Sequence, residues 1–356
     1  MINVLSRWFN KYFSDPQAVL LAILLLGGFT IIMTMSQMLA PVLASMVIAY
    51  MLEGIVKSLE QHIPRFIAVF FVYMTFMTLL TFILLVLFPL LYQQTYQFMH
   101  EFPTMIAHGH QLLLQLPERY PDYITVEQIE SLITSMRSAT RDAGQMLLSY
   151  SLSSIPILIT VLVYLILVPL LVFFFLKDKK QIVSWLVSFL PKERHAANRL
   201  WREMDAQMGN YIRGKVYEIF IVGVASYVTF AFLGLNYTPL LAVIVGLSVI
   251  IPYVGATLAT LPVVVVAYFQ WGWSTEFIWV ISAYGIIQAL DGNVLVPLLF
   301  SEAVNLHPVA IIVAVLVFGG LWGVWGVFFA IPLATLVKAL LRAWPHSPME
   351  SIELSQ

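Results

Sequence analysis

The sequence predicts an all-α protein that crosses a membrane several times. Of its 356 residues, 60% are hydrophobic and only 10% are charged, and the mean hydropathy is +0.89. A soluble domain of this length needs more charge to cover its surface. The apolar residues also fall into blocks of about 20, the length of a helix that spans a bilayer. Both observations favour a polytopic helical membrane protein, embedded in a lipid bilayer.

Residues 1–91 are predicted to form an N-terminal group of transmembrane helices. A short amphipathic lead carries Arg7 and Lys11, and no cleavable signal peptide is apparent. The loop after the second apolar block carries Lys57 and Arg65, and basic loops favour the cytoplasmic side. We expect the three spans at 18–35, 39–55 and 67–91.

Residues 92–154 are more polar and are predicted to form a small helical domain on the external side. The apolar residues of this stretch recur at helical spacing. Its acids outnumber its bases; they are Glu101, Glu118, Asp122, Glu127, Glu130 and Asp142. We expect the domain to serve packing and contact between subunits, and capture of a ligand is the alternative.

Residues 155–176 are predicted to return through the membrane, and residues 177–215 to lie on its inner face. Trp185 and Trp201 stand in apolar stretches of this loop, which is typical of amphipathic helices at an interface. The loop is basic up to its end at Lys215, and we interpret its charges as topology signals; they include Lys192, Arg194, Arg199, Arg202 and Arg213. Basic loops inside and an acidic domain outside place both termini in the cytoplasm.

Residues 216–344 contain two segments that are built alike, after a further span at 216–233. One opens with N-x-x-P at Asn236 and breaks at 252–255, and the other opens with N-x-x-P at Asn305 and breaks at 319–323. Each break separates two apolar arms, and the second arm contains a proline. As a continuous helix, each segment would be about 45–50 Å long. That exceeds the hydrocarbon thickness of a bilayer, which is roughly 30 Å.

These lengths predict that the two segments are broken or re-entrant helical hairpins, separated by one span at 277–300. The first would enter from outside and the second from inside, so the hairpins would form an inverted repeat. The chain would then have about eight membrane segments, followed by a C-terminal tail at 345–356. The alternative is two long, tilted helices that are merely kinked, which also leaves the C-terminus in the cytoplasm.

The span between the two hairpins carries a carboxylate, Asp291, in an otherwise apolar run. Charge at membrane depth is costly and usually faces a partner or a water-filled cavity. Gln288 lies one helical turn away and can share a face with Asp291, and Asn293 follows it. Together they offer donors and acceptors to a small polar molecule or a cation. A salt bridge or a helix-positioning role for Asp291 is the alternative.

The two breaks supply the remaining candidate residues. Glycines at a hairpin turn expose backbone groups to a ligand, or they simply permit close helix packing, and both interpretations stay open. Aromatic residues at the breaks are expected to stack. The candidate substrate-binding residues are Pro252, Tyr253, Gly255, Gln288, Asp291, Asn293, Gly319, Gly320, Trp322 and Gly323.

Several short motifs resemble those of the autoinducer-2 exporter (AI-2E) family, and the resemblance runs the whole length of the chain. They include Phe-Leu-Lys-Asp at 175–178, Tyr-Ile-Arg-Gly at 211–214, Ile-Pro-Tyr-Val-Gly-Ala at 251–256, Gln-Ala-Leu-Asp-Gly-Asn at 288–293 and Asn-Leu-His-Pro at 305–308. The resemblance implies a transporter of the bacterial inner membrane, a homopentamer in which two hairpins form the substrate site and move as an elevator. It implies a small polar solute, such as an autoinducer-2-like signal. The family also includes members linked to sodium/proton exchange.

Other functional classes find little support in the sequence. No Cys is present, and no nucleotide-binding, metalloprotease or serine-hydrolase motif occurs. The histidines lack the spacing of metal ligands, and no basic tract suggests nucleic acid. We therefore expect no enzyme, no cofactor and no metal site. Three hypotheses remain: export of a small polar solute, sodium/proton antiport, and a membrane scaffold that transports nothing.

Overall fold

The computed structural model describes residues 34–114, 154–188, 195–252, 254–300 and 306–343, together with positions 27, 28, 30, 127, 129, 131 and 134. All regular structure in these ranges is helical, which confirms the predicted class. The α-helices are α1 Ser36–Glu60, α2 Arg65–Phe82, α3 Phe88–Leu114, α4 Ser154–Lys177, α5 Lys179–Ser188, α6 His195–Phe232, α7 Thr238–Ser248, α8 Val254–Trp271, α9 Thr275–Leu290, α10 Val296–Phe300, α11 Pro308–Phe328 and α12 Ala330–Ala343. Two π-helical turns, Ile83–Leu87 and Asp291–Leu295, join α2 to α3 and α9 to α10.

The described helices include six that are long and apolar enough to cross a membrane, so the chain is a polytopic membrane protein. These candidate spans are Met38–Glu60, Arg65–Met105, Ile159–Lys177, Asp205–Phe232, Val254–Trp271 and Thr275–Phe300. Two shorter apolar helices, Thr238–Ser248 and Pro308–Trp322, accompany them. Most of the first predicted span at 18–35, and most of the predicted external domain beyond Leu114, lie outside the described residues.

Helices α1, α2 and α4 pack together as an N-terminal unit. Their shared core contains Val56, Ala68 and Val172, each with no exposed surface. At one end of this unit, Glu53 accepts hydrogen bonds from Arg65 at 3.0 Å and from Lys179 at 3.2 Å. Because these residues belong to three different helices, the ionic network ties α1, α2 and α5 to one another.

Helix α6 is the centre of a second unit that also contains α7, α8 and α9. The core of this unit includes Phe230, Val245, Val263 and Val280, which are fully buried. Gly246 of α7 faces α6 so closely that a Cβ there would lie 3.0 Å from the carbonyl oxygen of Ile219. Small residues at this contact allow the two helices to approach, as they do in many membrane proteins.

Helices α7 and α8 form the first hairpin, which we call hairpin 1. At its open end, the Gln270 side chain accepts from the Asn236 amide and donates to the Gly234 carbonyl, both at 2.8 Å. At its closed end, a Cβ on Gly255 would collide with the Ser248 carbonyl oxygen, so only glycine fits there. The two helices are therefore antiparallel. Helix α7 has 11 residues and is therefore about 16 Å long, at 1.5 Å per residue.

The second hairpin, hairpin 2, has its first arm at 308–322 and its returning arm at 324–343, which contains the end of α11 and all of α12. Gly323 breaks α11 with φ 59° and ψ −135°, in the left-handed region that favours glycine. Just beyond it, a Cβ on Gly326 would collide with the Phe318 carbonyl oxygen. Each predicted hairpin is thus closed in the same way, by a glycine of the returning arm that lies against a backbone carbonyl of the first arm.

The N-terminal unit touches the second unit through two polar contacts at different places. The Tyr50 hydroxyl of α1 hydrogen-bonds Asp205 of α6 at 2.6 Å. The Gln94 side chain of α3 accepts from the Leu240 amide of α7 at 3.0 Å. Apolar contacts accompany them, because Val47 and Met51 of α1 pack against the cluster that contains Tyr211 and Phe300.

Candidate functional site

Asp291 stands at the first position of the π-helical turn between α9 and α10. π-Helical turns are rare and often occur at functional sites. The carboxylate oxygen Oδ1 of Asp291 is buried and makes no hydrogen bond to any residue that the structure describes. An unsatisfied buried acceptor costs about 1–3 kcal/mol, and more when it is charged. The sequence prediction of a polar site in this span therefore coincides with a distorted backbone and an unpartnered oxygen.

Two polar side chains precede Asp291 on α9, one and two turns earlier. The Gln288 amide nitrogen is buried and also lacks a hydrogen-bond acceptor within the described part of the chain. Tyr284 is 3% exposed, and its hydroxyl donates to the Ala256 carbonyl at 3.3 Å and lies 3.2 Å from Thr260 Oγ1. Since Ala256 and Thr260 belong to α8, this face of α9 packs directly on hairpin 1.

A buried ion pair lies on α6 beside this face, and the sequence analysis missed it. Lys215 Nζ donates to Glu218 Oε2 at 2.7 Å, and both side chains are almost fully buried. The same ammonium donates to the Val249 carbonyl, also at 2.7 Å. It lies 5.3 Å from the centroid of the Phe300 ring as well, a favourable cation–π distance. Lys215 therefore holds three elements together.

The π-helical turn that carries Asp291 packs against α6, and Asp291 interacts electrostatically with Lys215 and Glu218 of that helix. If all three groups are ionised, one positive and two negative charges leave a net charge of −1 in a buried cluster. Uncompensated charge in such a place is unfavourable. A proton or a cation at Asp291 would neutralise the cluster, whereas an anion would be repelled.

Tyr211 anchors hairpin 2 one helical turn before Lys215. Its side chain is 2% exposed, and its hydroxyl donates to the Phe328 carbonyl at 2.8 Å. The ring also contacts the rings of Phe300 and Phe328, at centroid distances of 5.6 and 6.0 Å. Carbonyls near helix ends lack partners within their own helix, and here α6 supplies a donor to each hairpin.

The other predicted site residues are arranged as follows. Asn293 is exposed, and its side chain donates to the Ala289 carbonyl of its own helix at 2.8 Å. The structure therefore does not bring Asn293 together with Gln288 and Asp291. Pro252 lies in the break of hairpin 1, half-buried, and Tyr253 lies outside the described residues.

The glycines of the two breaks differ in their surroundings. Gly255 is confined by the opposite arm, and a Cβ on Gly319 would lie 2.7 Å from Val327. A Cβ on Gly320 would meet open space. Gly323 supplies the left-handed conformation of the break, and the Trp322 ring stacks on that of Phe318, at 6.4 Å. The expected stacking at the second break is therefore present.

The missed residues carried a signal in the sequence. Glu218 falls within the predicted span at 216–233, and an acid in an apolar run is a reason to look for a partner. Lys215 stands three residues earlier, but it was grouped with the basic cytoplasmic loop at 177–215. In the structure, Lys215 lies within the continuous helix α6, and its side chain is buried.

The fold defines a polytopic α-helical membrane protein, and its polar cluster lies within two of the candidate spans, Asp205–Phe232 and Thr275–Phe300. The sequence matches the profile described as "AI-2E family transporter" over residues 19–346. The chain belongs to this family, as its motifs predicted. The family is one of transporters, which agrees with the expectation that the chain is not an enzyme.

Individual relatives give the same assignment. The chain is 47% identical to "Putative permease PerM" of Escherichia coli K12 over 97% of its own length and 98% of the relative's. It is 26% identical to "Putative transport protein YueF" of Bacillus subtilis, over 86% of this chain and 84% of that protein. A second Bacillus subtilis relative, "Putative transport protein YrrI", is 25% identical over 85% of both chains.

Proposed function

We propose that this chain carries a small polar solute across the bacterial inner membrane, through a site between Asp291 and the breaks of the two hairpins. The observation that carries the proposal is the convergence on α6. Lys215 binds the break of hairpin 1 and Tyr211 binds hairpin 2, one turn apart. Interrupted helices that meet around polar groups are the usual plan of a secondary-transporter site.

The net charge of the cluster restricts the solute that this site would accept. Buried Lys215 is already bound to Glu218 and Val249, so the free acceptor is Asp291 Oδ1. A neutral molecule that is rich in hydroxyl groups could donate to this oxygen and accept from the Gln288 amide. An autoinducer-2-like furanone has that chemistry, and it is our proposed substrate class.

Sodium/proton antiport is the second candidate function, and the same oxygen favours it. A buried carboxylate beside interrupted helices can carry a proton and a monovalent cation in turn. The polar cluster argues against a membrane scaffold that transports nothing, because unsatisfied buried groups would only destabilise such a protein.

Motion and assembly complete the proposal. We propose that both hairpins are re-entrant and inversely oriented, and that the chain has cytoplasmic termini and assembles as a homopentamer. The two units each have a core of their own, which suits an elevator in which the unit around α6 moves against the N-terminal unit. The motion would have to change the contacts Tyr50–Asp205 and Gln94–Leu240 and the apolar contact of Val47 and Met51. The family resemblance is the source of the pentamer and of the elevator.

Reconstitution in liposomes tests the function. The purified chain is reconstituted into liposomes that contain labelled solutes, among them an autoinducer-2-like furanone. Sodium and proton gradients are then imposed across the liposome membrane. Saturable movement of the furanone supports the first candidate. Sodium-coupled proton flux without solute movement supports the antiporter. Absence of both fluxes in folded protein overturns transport and favours the scaffold.

A further inference from the structure

The two hairpins are anchored to α6 by donors of different kinds. Hairpin 2 is held by the neutral hydroxyl of Tyr211, and hairpin 1 by the charged ammonium of Lys215. An interaction with a charged donor responds to nearby charge, whereas a bond from a neutral hydroxyl responds far less. The anchor of hairpin 1 therefore depends on the ionic state of its surroundings in a way that the anchor of hairpin 2 does not.

Among the residues that the structure describes, few charged groups surround Lys215. Its own helix contributes Glu218, and the π-helical turn contributes Asp291. Helix α10 contributes only the ring of Phe300. Helices α7 and α8 contain no Asp, Glu, Lys, Arg or His, and α9 offers the phenol of Tyr284 on the same side. Asp291 is thus the group whose charge can change without breaking the Lys215–Glu218 pair.

In this structure, Lys215 donates to the Val249 carbonyl and forms no ion pair with Asp291 among the described contacts. A lysine ammonium has three donors on a flexible stem. Two of these donors serve Glu218 and the Val249 carbonyl. An ionised Asp291 attracts the ammonium more strongly than the neutral carbonyl does, because charge-assisted bonds are stronger, and movement of the ammonium toward Asp291 would lengthen its bond to Val249. A proton or cation on Asp291 removes this competition and leaves Lys215 on Val249.

We infer that Lys215 is a positioning residue that clamps hairpin 1 according to the occupancy of Asp291. When Asp291 carries a proton or a monovalent cation, Lys215 holds the Val249 carbonyl and hairpin 1 stays closed. When Asp291 is empty and ionised, Lys215 turns to it and hairpin 1 is released. Hairpin 2 is insensitive to this change. The inference rests on the proposed role of Asp291 as an ion or solute site, and it adds which hairpin responds.

Single cysteines make the clamp measurable, because the chain contains none. Val249 is 5% exposed beside the anchored carbonyl of hairpin 1. Ala330 is fully buried two residues after the anchored carbonyl of hairpin 2. The variants Val249→Cys and Ala330→Cys therefore label with a maleimide only when their hairpin opens. The full-length chain in lipid nanodiscs is labelled at each pH and sodium concentration, and each rate is divided by that of the denatured chain under the same conditions.

The expected pattern separates the two hairpins. Lys215→Met speeds labelling of Val249→Cys about tenfold, the factor that corresponds to one charge-assisted bond of about 1.4 kcal/mol. Asp291→Asn, which imitates the neutral state of Asp291, slows labelling of Val249→Cys. Sodium or a lower pH slows that labelling when Asp291 is present but not in the Asp291→Asn background. The double variant Lys215→Met/Asp291→Asn labels as fast as Lys215→Met. The labelling rate of Ala330→Cys is the same in all of these variants and conditions. It rises only with Tyr211→Phe, which removes the donor to hairpin 2.

Lys215→Met leaves Glu218 buried and unpaired, so the paired variant Lys215→Met/Glu218→Gln is measured beside it. It removes the clamp without leaving a charge behind, and it is expected to release hairpin 1 as Lys215→Met does. Equal acceleration at both cysteines would show general loosening and overturn the inference. Asp291→Asn slowing Val249→Cys to the same degree with and without Lys215 would overturn it too. The readout needs no transport, so a charge-dependent clamp in a chain that moves no solute would uphold the inference and reject the proposed function.

Discussion

Tyr211 and Lys215 stand one turn apart on the same helix, and each donates a hydrogen bond to a different hairpin. The Tyr211 hydroxyl binds the Phe328 carbonyl at 2.8 Å, and the Lys215 ammonium binds the Val249 carbonyl at 2.7 Å. One face of α6 therefore binds both interrupted segments, and the π-helical turn that carries Asp291 packs against the same helix. Several consequences of this arrangement can be measured.

Asp291→Asn is expected to abolish transport while the protein stays folded. The side chain keeps its shape and loses only its charge, so an ion or solute site would fail without damage to packing. Flux into liposomes and size-exclusion chromatography would be measured on the same preparation. Asn293→Ala is a nearby control, since the Asn293 side chain is exposed and bonds its own helix. Normal flux in a stable Asp291→Asn protein would remove Asp291 from the mechanism.

Breaking the Lys215–Glu218 pair from one side is expected to destabilise the protein by about 3–5 kcal/mol, because a buried charge is left without its partner. Lys215→Met and Glu218→Gln are the single variants, and their combination should recover much of the loss. Thermal unfolding in detergent gives the comparison. Equal stability of the single variants and the parent would show that the pair is solvated in the membrane-embedded protein.

Gly255→Ala and Gly326→Ala are expected to distort hairpins 1 and 2, because each added Cβ meets a backbone carbonyl of the opposite arm. Overpacking of this kind typically costs about 1–3 kcal/mol. Gly320→Ala is the matched control, since its Cβ would enter open space and alanine favours a helix. Unfolding temperature and flux should fall in the first two variants only. A fall in Gly320→Ala alone would contradict the packing of the hairpins.

Glu53→Gln is expected to weaken the N-terminal unit more than Glu60→Gln does. Glu53 is buried and shared by Arg65 and Lys179, whereas Glu60 is more exposed and binds Arg65 alone. Exposed pairs contribute about 0–1 kcal/mol, so the control should change little. Thermal unfolding ranks the two variants. The reverse order would place the stabilising charge at the rim of the unit.

The proposed inverted orientation of the hairpins predicts which loops face outward. Under it, residues 272–275 lie outside and residues 301–308 lie in the cytoplasm; two merely kinked helices exchange these sides. Thr275→Cys and Ser301→Cys would be treated with a membrane-impermeant thiol reagent on intact cells. Thr275 is chosen over Ser274, whose side chain caps α9 by accepting from the Phe277 amide. Labelling at 275 but not at 301 is expected, and the opposite pattern would reject re-entrant hairpins.

Periodicity and length predicted the helical class, most of the spans and the positions of both breaks. They succeeded because a bilayer demands long apolar helices and because glycine and proline interrupt them. Helix ends were predicted less well: α2 was expected to stop near residue 91, and the helix continues through a π-helical turn to Leu114. Nothing in the apolar sequence at 83–87 marks that turn, because its hydrogen-bond register depends on packing.

The residues of the candidate site also divide into those that the sequence could identify and those that it could not. Asp291 and Gln288 could be selected from the sequence alone, since polar groups in an apolar run are expensive and seldom accidental. Asn293 was selected by proximity in sequence, but the turn directs it to its own helix. Lys215 could not be assigned from its neighbours, because a lysine at the edge of a basic loop has the same local signature whether it faces water or a buried acid.

By itself, then, the sequence determined a helical membrane protein of the AI-2E family, two interrupted segments and a carboxylate between them, because these depend on local composition and spacing. Only the tertiary structure decided that α6 anchors both hairpins, that Lys215 pairs with Glu218, and that no described residue donates to Asp291 Oδ1. Those relationships join residues that are far apart in the chain. Hydrogen bonds and charge pairs at such separations exist only once helix packing has brought the donors to the acceptors.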